Sequence, residues 1–261
     1  MTDAVAEAPA LFRRIVCGVD GTPESMTAVK QAARLKDEDG ELRLVSAANL
    51  ALAAHAGMGA VHAADLLQQD AESALADARR LVPSANERLV NGDPAAVLLR
   101  EAEQATLLAL GTHGRGRNVA LFLGTVAARM LRDAPTSVLI ARPARDTEWP
   151  QSIVAGVDGS AESGVAFGVA RLVAERFGAT VRAAASTKDH LDERAAREIA
   201  PDLDEDARGA VDVLVEASGS ADLMVVGSRG LHGLRALGSV GERVANQASC
   251  SVLVVRAKQA S

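Results

Sequence analysis

Aromatic side chains are scarce: four Phe, one Trp and no Tyr in 261 residues. A core with so few rings has to be assembled from small and branched aliphatic side chains. The 48% hydrophobic content and 22 Gly suit an α/β protein packed from Ala, Val and Leu. Basic runs are lacking too. The formal net charge is −6, and no stretch is positive enough to track a nucleic-acid backbone or an anionic membrane, so neither is expected as a partner. No apolar run approaches the roughly 18–20 residues of a membrane span. The only cysteines, Cys17 and Cys250, fall in apolar strand-like runs and read as buried reduced thiols. Met1–Ala10 is Ala-rich and acidic, without the basic start of a signal peptide, and reads as a frayed tail; a cytoplasmic location is the expectation. The chain also has no G-x4-G-K-[ST] and no G-x-G-x-x-G after its first strand, which argues against a motor-type NTPase and a dinucleotide-dependent dehydrogenase. No Ser-His-Asp or Cys-His arrangement assembles from local motifs.

What is present is a repeat. IVCGVDGTPES at 15–25 returns as IVAGVDGSAES at 153–163, identical at eight of eleven positions with an offset of 138. SVLIAR at 137–142 returns as SVLVVR at 251–256 with an offset of 114, and Gly111 corresponds to Gly227 with an offset of 116. The chain is therefore two copies of one unit: a tail over 1–11, a first unit over 12–143, a polar linker over 144–151 and a second unit over 152–257. The second is shorter by 22 residues before Gly227 and by two more before Gly238.

In the first unit, strand-like runs at Ile15–Val19, Leu42–Ala47, Glu87–Val90, Leu107–Leu110 and Ser137–Ala141 alternate with helical patterns at Ser25–Leu35, Val61–Val82 and Pro94 to about Glu103. Glu24 or Ser25 is a candidate cap for the first helix, and Asp93 for the third. A last helix is predicted over Val119–Met130, with Thr125 and the N–H groups near Gly124 at or near a helix start, a place that favours phosphate. Strands separated by helices predict a mostly parallel sheet covered on both faces. Asp20 follows strand one and Gly111 follows strand four. If these strands are neighbours where the strand order reverses, both residues face one crevice. In the second unit the charged stretch 189–209 predicts at most one short helix, a degraded or missing third strand, and a solvated loop at Asp202–Asp206. Trp149 is expected at the seam between units, outside any ligand site.

On these residues the chain resembles a tandem universal stress protein. Gly111-Thr-His-Gly114, nine residues, then Gly124-Thr125 fits the G-x2-G-x9-G-[ST] pattern of that family, and the V-D-G-[ST] turn occurs twice, as Asp20-Gly21-Thr22 and Asp158-Gly159-Ser160. The resemblance implies two Rossmann-like, flavodoxin-like units, the second truncated, and binding of ATP, AMP or another adenine nucleotide, with any Mg2+ accompanying it. It would place Asp20 on the adenosine, the strand-two backbone near Ala47 on the adenine edge, and Gly111 and Gly114 along the phosphate path. Gly124, Thr125 and Val126 would hold phosphate through N–H groups and a hydroxyl, a cradle that needs no lysine. Arg115 and Arg117 would meet either phosphate or solvent. His113 reads as a hydrogen-bonding or exposed loop residue, and His55 and His62 suggest no metal site.

The second unit keeps Asp158, Gly227, Gly230, Gly238 and Ser239, but only seven residues separate Gly230 from Gly238, so a weaker, altered or empty site is expected there. The shorter unit would then serve as a pseudo-dimer partner of the first, and a further homodimer stays open. The functional expectation is a nucleotide-binding stress-response module. The alternatives are a slow ATPase or phosphotransferase using the same pocket, and a non-binding assembly scaffold built on strand-five edges.

Overall fold

The computed structural model describes residues 11–51, 59–112, 123–145, 148–189, 191–228 and 239–256. The first unit runs β1 (Arg14–Gly18), α1 (Pro23–Leu35), β2 (Glu41–Ala48), α2 (Ala60–Leu81), β3 (Asn86–Asn91), α3 (Pro94–Ala102), β4 (Leu107–Gly111), α4 (Thr125–Asp133) and β5 (Ser137–Ala141). The second runs β6 (Ser152–Gly156), α5 (Ala161–Phe177), β7 (Thr180–Ser186), α6 (Glu193–Ile199), β8 (Leu203–Asp206), α7 (Ala210–Ser218), β9 (Leu223–Ser228), α8 (Val240–Gln247) and β10 (Ser251–Arg256).

All ten strands form one sheet in the order β3-β2-β1-β4-β5-β10-β9-β6-β7-β8. Within each unit the pairing is parallel; at the junction β5 and β10 run antiparallel, with Leu139 opposite Leu253. Both junction strands are buried along their whole length, as near-continuous apolar runs in a sheet covered on both faces should be. Alternation sends Val138, Ile140, Val252 and Val254 into one apolar layer and Leu139, Ala141, Leu253 and Val255 into the other, so each layer continues from one unit into the next. The strand-five edges that a scaffold would use are thus paired with each other inside the chain. Trp149 is buried in the second of these layers, its Nε1 donating to the Asp222 carbonyl at 2.9 Å.

Several expectations need correction. The second unit has the one short helix allowed for, α6, capped by the Asp192 carboxylate accepting from the Ala195 N–H, and it also keeps a third strand, β8, four residues long and paired in register with β7. Most of the saving lies in the helix, seven residues against 22 in α2, and the rest largely in the shorter connection that precedes it. Asp202–Asp206 reads as a loop because only Leu203 points into the core; its acidic residues lie on a sheet edge, where charge discourages further pairing. Arg182, Arg197 and Arg208 hold Asp204, Glu205 and Asp206 respectively. Helix α1 is capped by Thr22, with Pro23 in its first turn, rather than by Glu24 or Ser25. Helix α4 begins at Thr125, six residues after Val119, with Gly124 as its N-cap.

Candidate functional site

The sheet positions the site. β1 lies between β2 and β4, so the crossovers leaving β1 and β4 diverge and a crevice opens beyond their carboxyl ends. There the first unit has a cleft of about 700 Å³ lined by Asp20, Val45, Ala47, Asn49, Leu67, Pro94, Leu98, Gly111 and Gly124 through Ala127, among other residues. That size falls within the roughly 300–1,000 Å³ of small-molecule pockets.

Asp20 is fixed by a local turn. Its Oδ1 accepts from the Thr22 N–H at 3.1 Å and from the Thr22 hydroxyl at 2.6 Å, while the Ser25 N–H bonds Thr22 Oγ1. Gly21 makes the turn possible with a φ of 82°, a conformation that penalises any Cβ. Both bonds to Asp20 fall on Oδ1, and Thr22 rather than Asp20 caps α1.

The structure explains Gly111 by packing. A Cβ there would lie 2.6 Å from the Glu24 carbonyl carbon, so glycine lets the start of α1 press on the end of β4. Gly111 also lines the cleft, and the two roles coincide.

At the opposite wall, the Gly124 N–H donates to the Thr112 carbonyl at 2.7 Å, and the Gly124 carbonyl accepts from the Ala128 N–H at 2.9 Å. Among the described residues no side chain caps α4, and its first turn holds no acidic residue. Its leading N–H groups, the Thr125 hydroxyl and the positive end of its dipole therefore stand at the cleft, as an anion requires. Gly114 and Arg115, with His113 and Arg117, lie outside the described residues. Among cleft residues that the sequence reading omitted, Asn49 lies two positions beyond Ala47 and so repeats the alternation of β2. Leu67 belongs to the apolar side of α2 already visible in its helical spacing.

The second unit has the corresponding turn: Asp158 Oδ1 accepts from the Ser160 N–H at 3.0 Å and its hydroxyl at 2.5 Å. Gly227 repeats the packing of Gly111, a Cβ there lying 2.5 Å from the Glu162 carbonyl oxygen. The cleft, however, is about 300 Å³, and its lining carries three carboxylates, Asp158, Glu162 and Asp189, where the described lining of the first carries only Asp20. Asp192 lies against the turn, its N–H donating to the Asp158 carbonyl at 3.0 Å. The Asp189 carboxylate takes the first N–H of α7, that of Ala210. Ser239 caps α8 by accepting from the Glu242 N–H at 3.2 Å, and Glu242 brings an acid into the first turn. Gly230 and Gly238 lie outside the described residues.

Both cysteines are buried. Burial pushes the Cys17 thiol far above the usual thiol range and that of Cys250 up to about 11, in the latter case against the pull of Arg142. Neither thiol lines either cleft.

The sequence model of the universal stress protein family matches residues 11–142 and 203–256. The chain belongs to this family. Universal stress protein Rv2623 of Mycobacterium tuberculosis is 29% identical over an alignment 293 positions long, covering 93% of this chain and 96% of that protein. A universal stress protein of Mycolicibacterium smegmatis is 41% identical over 58 residues, 22% of this chain and 20% of that protein. The crystal structure of a universal stress protein from Archaeoglobus fulgidus superposes with a TM-score of 0.74 at 18% identity, covering 94% of this chain and 98% of that one; at that identity the likeness concerns the fold. The family match stops at 142 and resumes at 203; the stretch between holds the linker, β6, α5, β7 and the short α6. Among the described residues no helix is long and apolar enough to cross a membrane.

Proposed function

We propose that the first unit binds an adenine nucleotide, ATP or a relative of it, and that this universal stress protein works as a ligand-loaded module rather than a catalyst. The uncapped start of α4 carries the reading, since it faces a cleft of about 700 Å³ with one carboxylate in its described lining. In this reading the phosphates lie against the N–H groups of Gly124, Thr125 and Val126, Asp20 offers Oδ2 to the ribose hydroxyls, and the base lies along Val45 and Ala47 against Leu98. Mg2+ would arrive with the phosphates. The second cleft stays empty: two further carboxylates beside a phosphate cost a few kcal/mol at an effective dielectric constant of about 20, and the start of α8 is already capped by its own Ser239, with the acidic Glu242 in its first turn. Association of two chains would have to use a surface other than the paired β5 and β10 strands, such as an outer sheet edge.

The test is to denature freshly purified protein and quantify the nucleotide released per chain. One adenine nucleotide per chain is expected, and accumulation of ADP over repeated turnovers would instead mark a catalyst. Gly124 has a φ of −61°, which alanine accepts, so Gly124→Ala probes the ligand's approach without straining the turn and should abolish retention. No nucleotide, together with no thermal shift in millimolar ATP, would sink the reading.

A further inference from the structure

The described face of the first cleft is not held by the first unit alone. The N–H of Leu123, one residue before the N-cap of α4, donates to Oδ1 of Asn246 on α8 of the second unit at 3.3 Å. The Asn246 amide is oriented from its other end as well, Nδ2 donating to the Glu242 carbonyl one helical turn back at 2.9 Å. Exchanging the oxygen and nitrogen would set an NH2 against an N–H and an oxygen against a carbonyl, so the two bonds fix the amide in one sense. Leu123 itself is buried. A buried N–H that loses its partner carries a desolvation penalty, so the chain on this side of the turn is committed to Asn246. The neighbouring Gly124 N–H is tied to Thr112 at the end of β4. Successive N–H groups are thus anchored to different units: Gly124 to its own strand, Leu123 to the helix of its neighbour. A second link, Arg132 of α4 to Glu242 of α8 at 3.6 Å, joins the same pair of helices one turn away from Asn246.

The arrangement has no mirror image. By the offset of 114, the first-unit position corresponding to Asn246 is Arg132 and that corresponding to Glu242 is Ala128. The first unit therefore cannot offer the same amide, in the same helical setting, to the second.

We propose that Asn246 is a positioning residue for the anion-binding turn of the first unit, so that the second unit, whose own cleft is narrow and acidic, raises the nucleotide affinity of the first by holding Leu123 and Gly124 in the orientation that presents the start of α4. The inference rests on the nucleotide reading of the first cleft and adds to it a residue from outside the unit.

The experiment uses the full chain stripped of nucleotide, with Asn246→Ala and Asn246→Asp. Alanine removes the acceptor and suits the helix; aspartate keeps an oxygen toward Leu123 and gives up only the bond to Glu242. Site-resolved hydrogen exchange of the Leu123 amide is followed without ligand, and ATP affinity is measured by calorimetry. In Asn246→Ala the Leu123 amide should exchange at least about tenfold faster and ATP should bind about tenfold more weakly, the worth of one hydrogen bond. Amides of β1 should keep their protection, and Asn246→Asp should restore slow exchange at Leu123. Unchanged exchange at Leu123 in Asn246→Ala overturns the anchoring; faster exchange with unchanged affinity overturns the coupling to the ligand. An unsubstituted chain that binds no ATP overturns the reading of the cleft and with it the effect on affinity, while the exchange data decide the anchoring separately.

Discussion

The two units share a Val-Asp-Gly turn hydrogen-bonded in the same way, yet they treat the helix after strand four differently. In the first unit Gly124 is the N-cap and Thr125 opens the helix, itself among the residues lining the cleft. In the second, Ser239, the counterpart of Thr125, is itself the cap and its hydroxyl is spent on the Glu242 N–H. The carbonyl bonds show the same shift of one residue, Ala128 N–H to Gly124 in one and Arg243 N–H to Ser239 in the other. A glycine followed by a small hydroxyl residue therefore specifies a helix start without specifying whom that start serves. The remaining orphan donors are either left for a ligand or absorbed by the helix itself.

The largest expected effect tests where the units are alike. Gly111→Ala and Gly227→Ala each force a Cβ against backbone, at 2.6 Å and 2.5 Å, and overpacking of this kind costs about 3 kcal/mol. Urea denaturation should show comparable losses for the two. A loss confined to Gly111→Ala would mean that the second unit is packed more loosely than its geometry indicates.

The thiols sharpen the comparison next, since each unit carries one and they are not at equivalent positions. An unfolded Cys250 ionises near 9.0 and the folded one near 11. The unfolded chain loses its proton first, so this stabilisation is full below pH 9 and is withdrawn as pH climbs toward 11, by about 3 kcal/mol. Cys17, held further above its unfolded value of 9.0 by burial, adds a loss of about the same size over this window, so stability measured from pH 8 to 11 should fall by about 5 kcal/mol in all, and both thiols should resist a disulfide reagent at pH 8 until the chain is denatured.

Thr125→Val should weaken nucleotide binding about tenfold with little change in stability, because it removes a hydroxyl that in our reading serves only the ligand. Ser239→Ala should do the reverse, costing about 1 kcal/mol of stability through loss of a cap and leaving nucleotide content unchanged. If Ser239→Ala lowered the nucleotide content and Thr125→Val did not, the assignment of the two clefts would be inverted.

Much of this architecture was legible in the sequence because it rests on local signals. The repeat set the two-unit plan, and alternating strand and helix patterns set the parallel sheet. Asp20 after one apolar run and Gly111 after another pointed to one crevice once their strands were neighbours. The rest depends on partners that no local pattern names. Strand β8 hides its single inward residue, Leu203, among charges that suit a sheet edge. The tight fit at Gly111 is made by Glu24, 87 positions away, and the shift in capping between α4 and α8 is a backbone event behind nearly the same residue pair. The hold of Asn246 on Leu123 joins residues 123 positions apart, in an element whose sequence looks like a copy of another.

The antiparallel junction of β5 and β10 has a consequence of its own. When two identical chains meet about a two-fold axis, every substitution is made twice, and a residue that helps one half must be tolerated at the same place in the other. Fusing the halves removes that constraint. Asn246 stands opposite Leu123 while Arg132 occupies the related position; Gln31 accepts from the Ser251 hydroxyl across the seam and donates to the Arg142 carbonyl of its own unit, while Val169 stands in its place in the second unit. Each half of this molecule is free to differ from the other one residue at a time, and in our reading a joint between near-equals becomes a joint between a binder and its support.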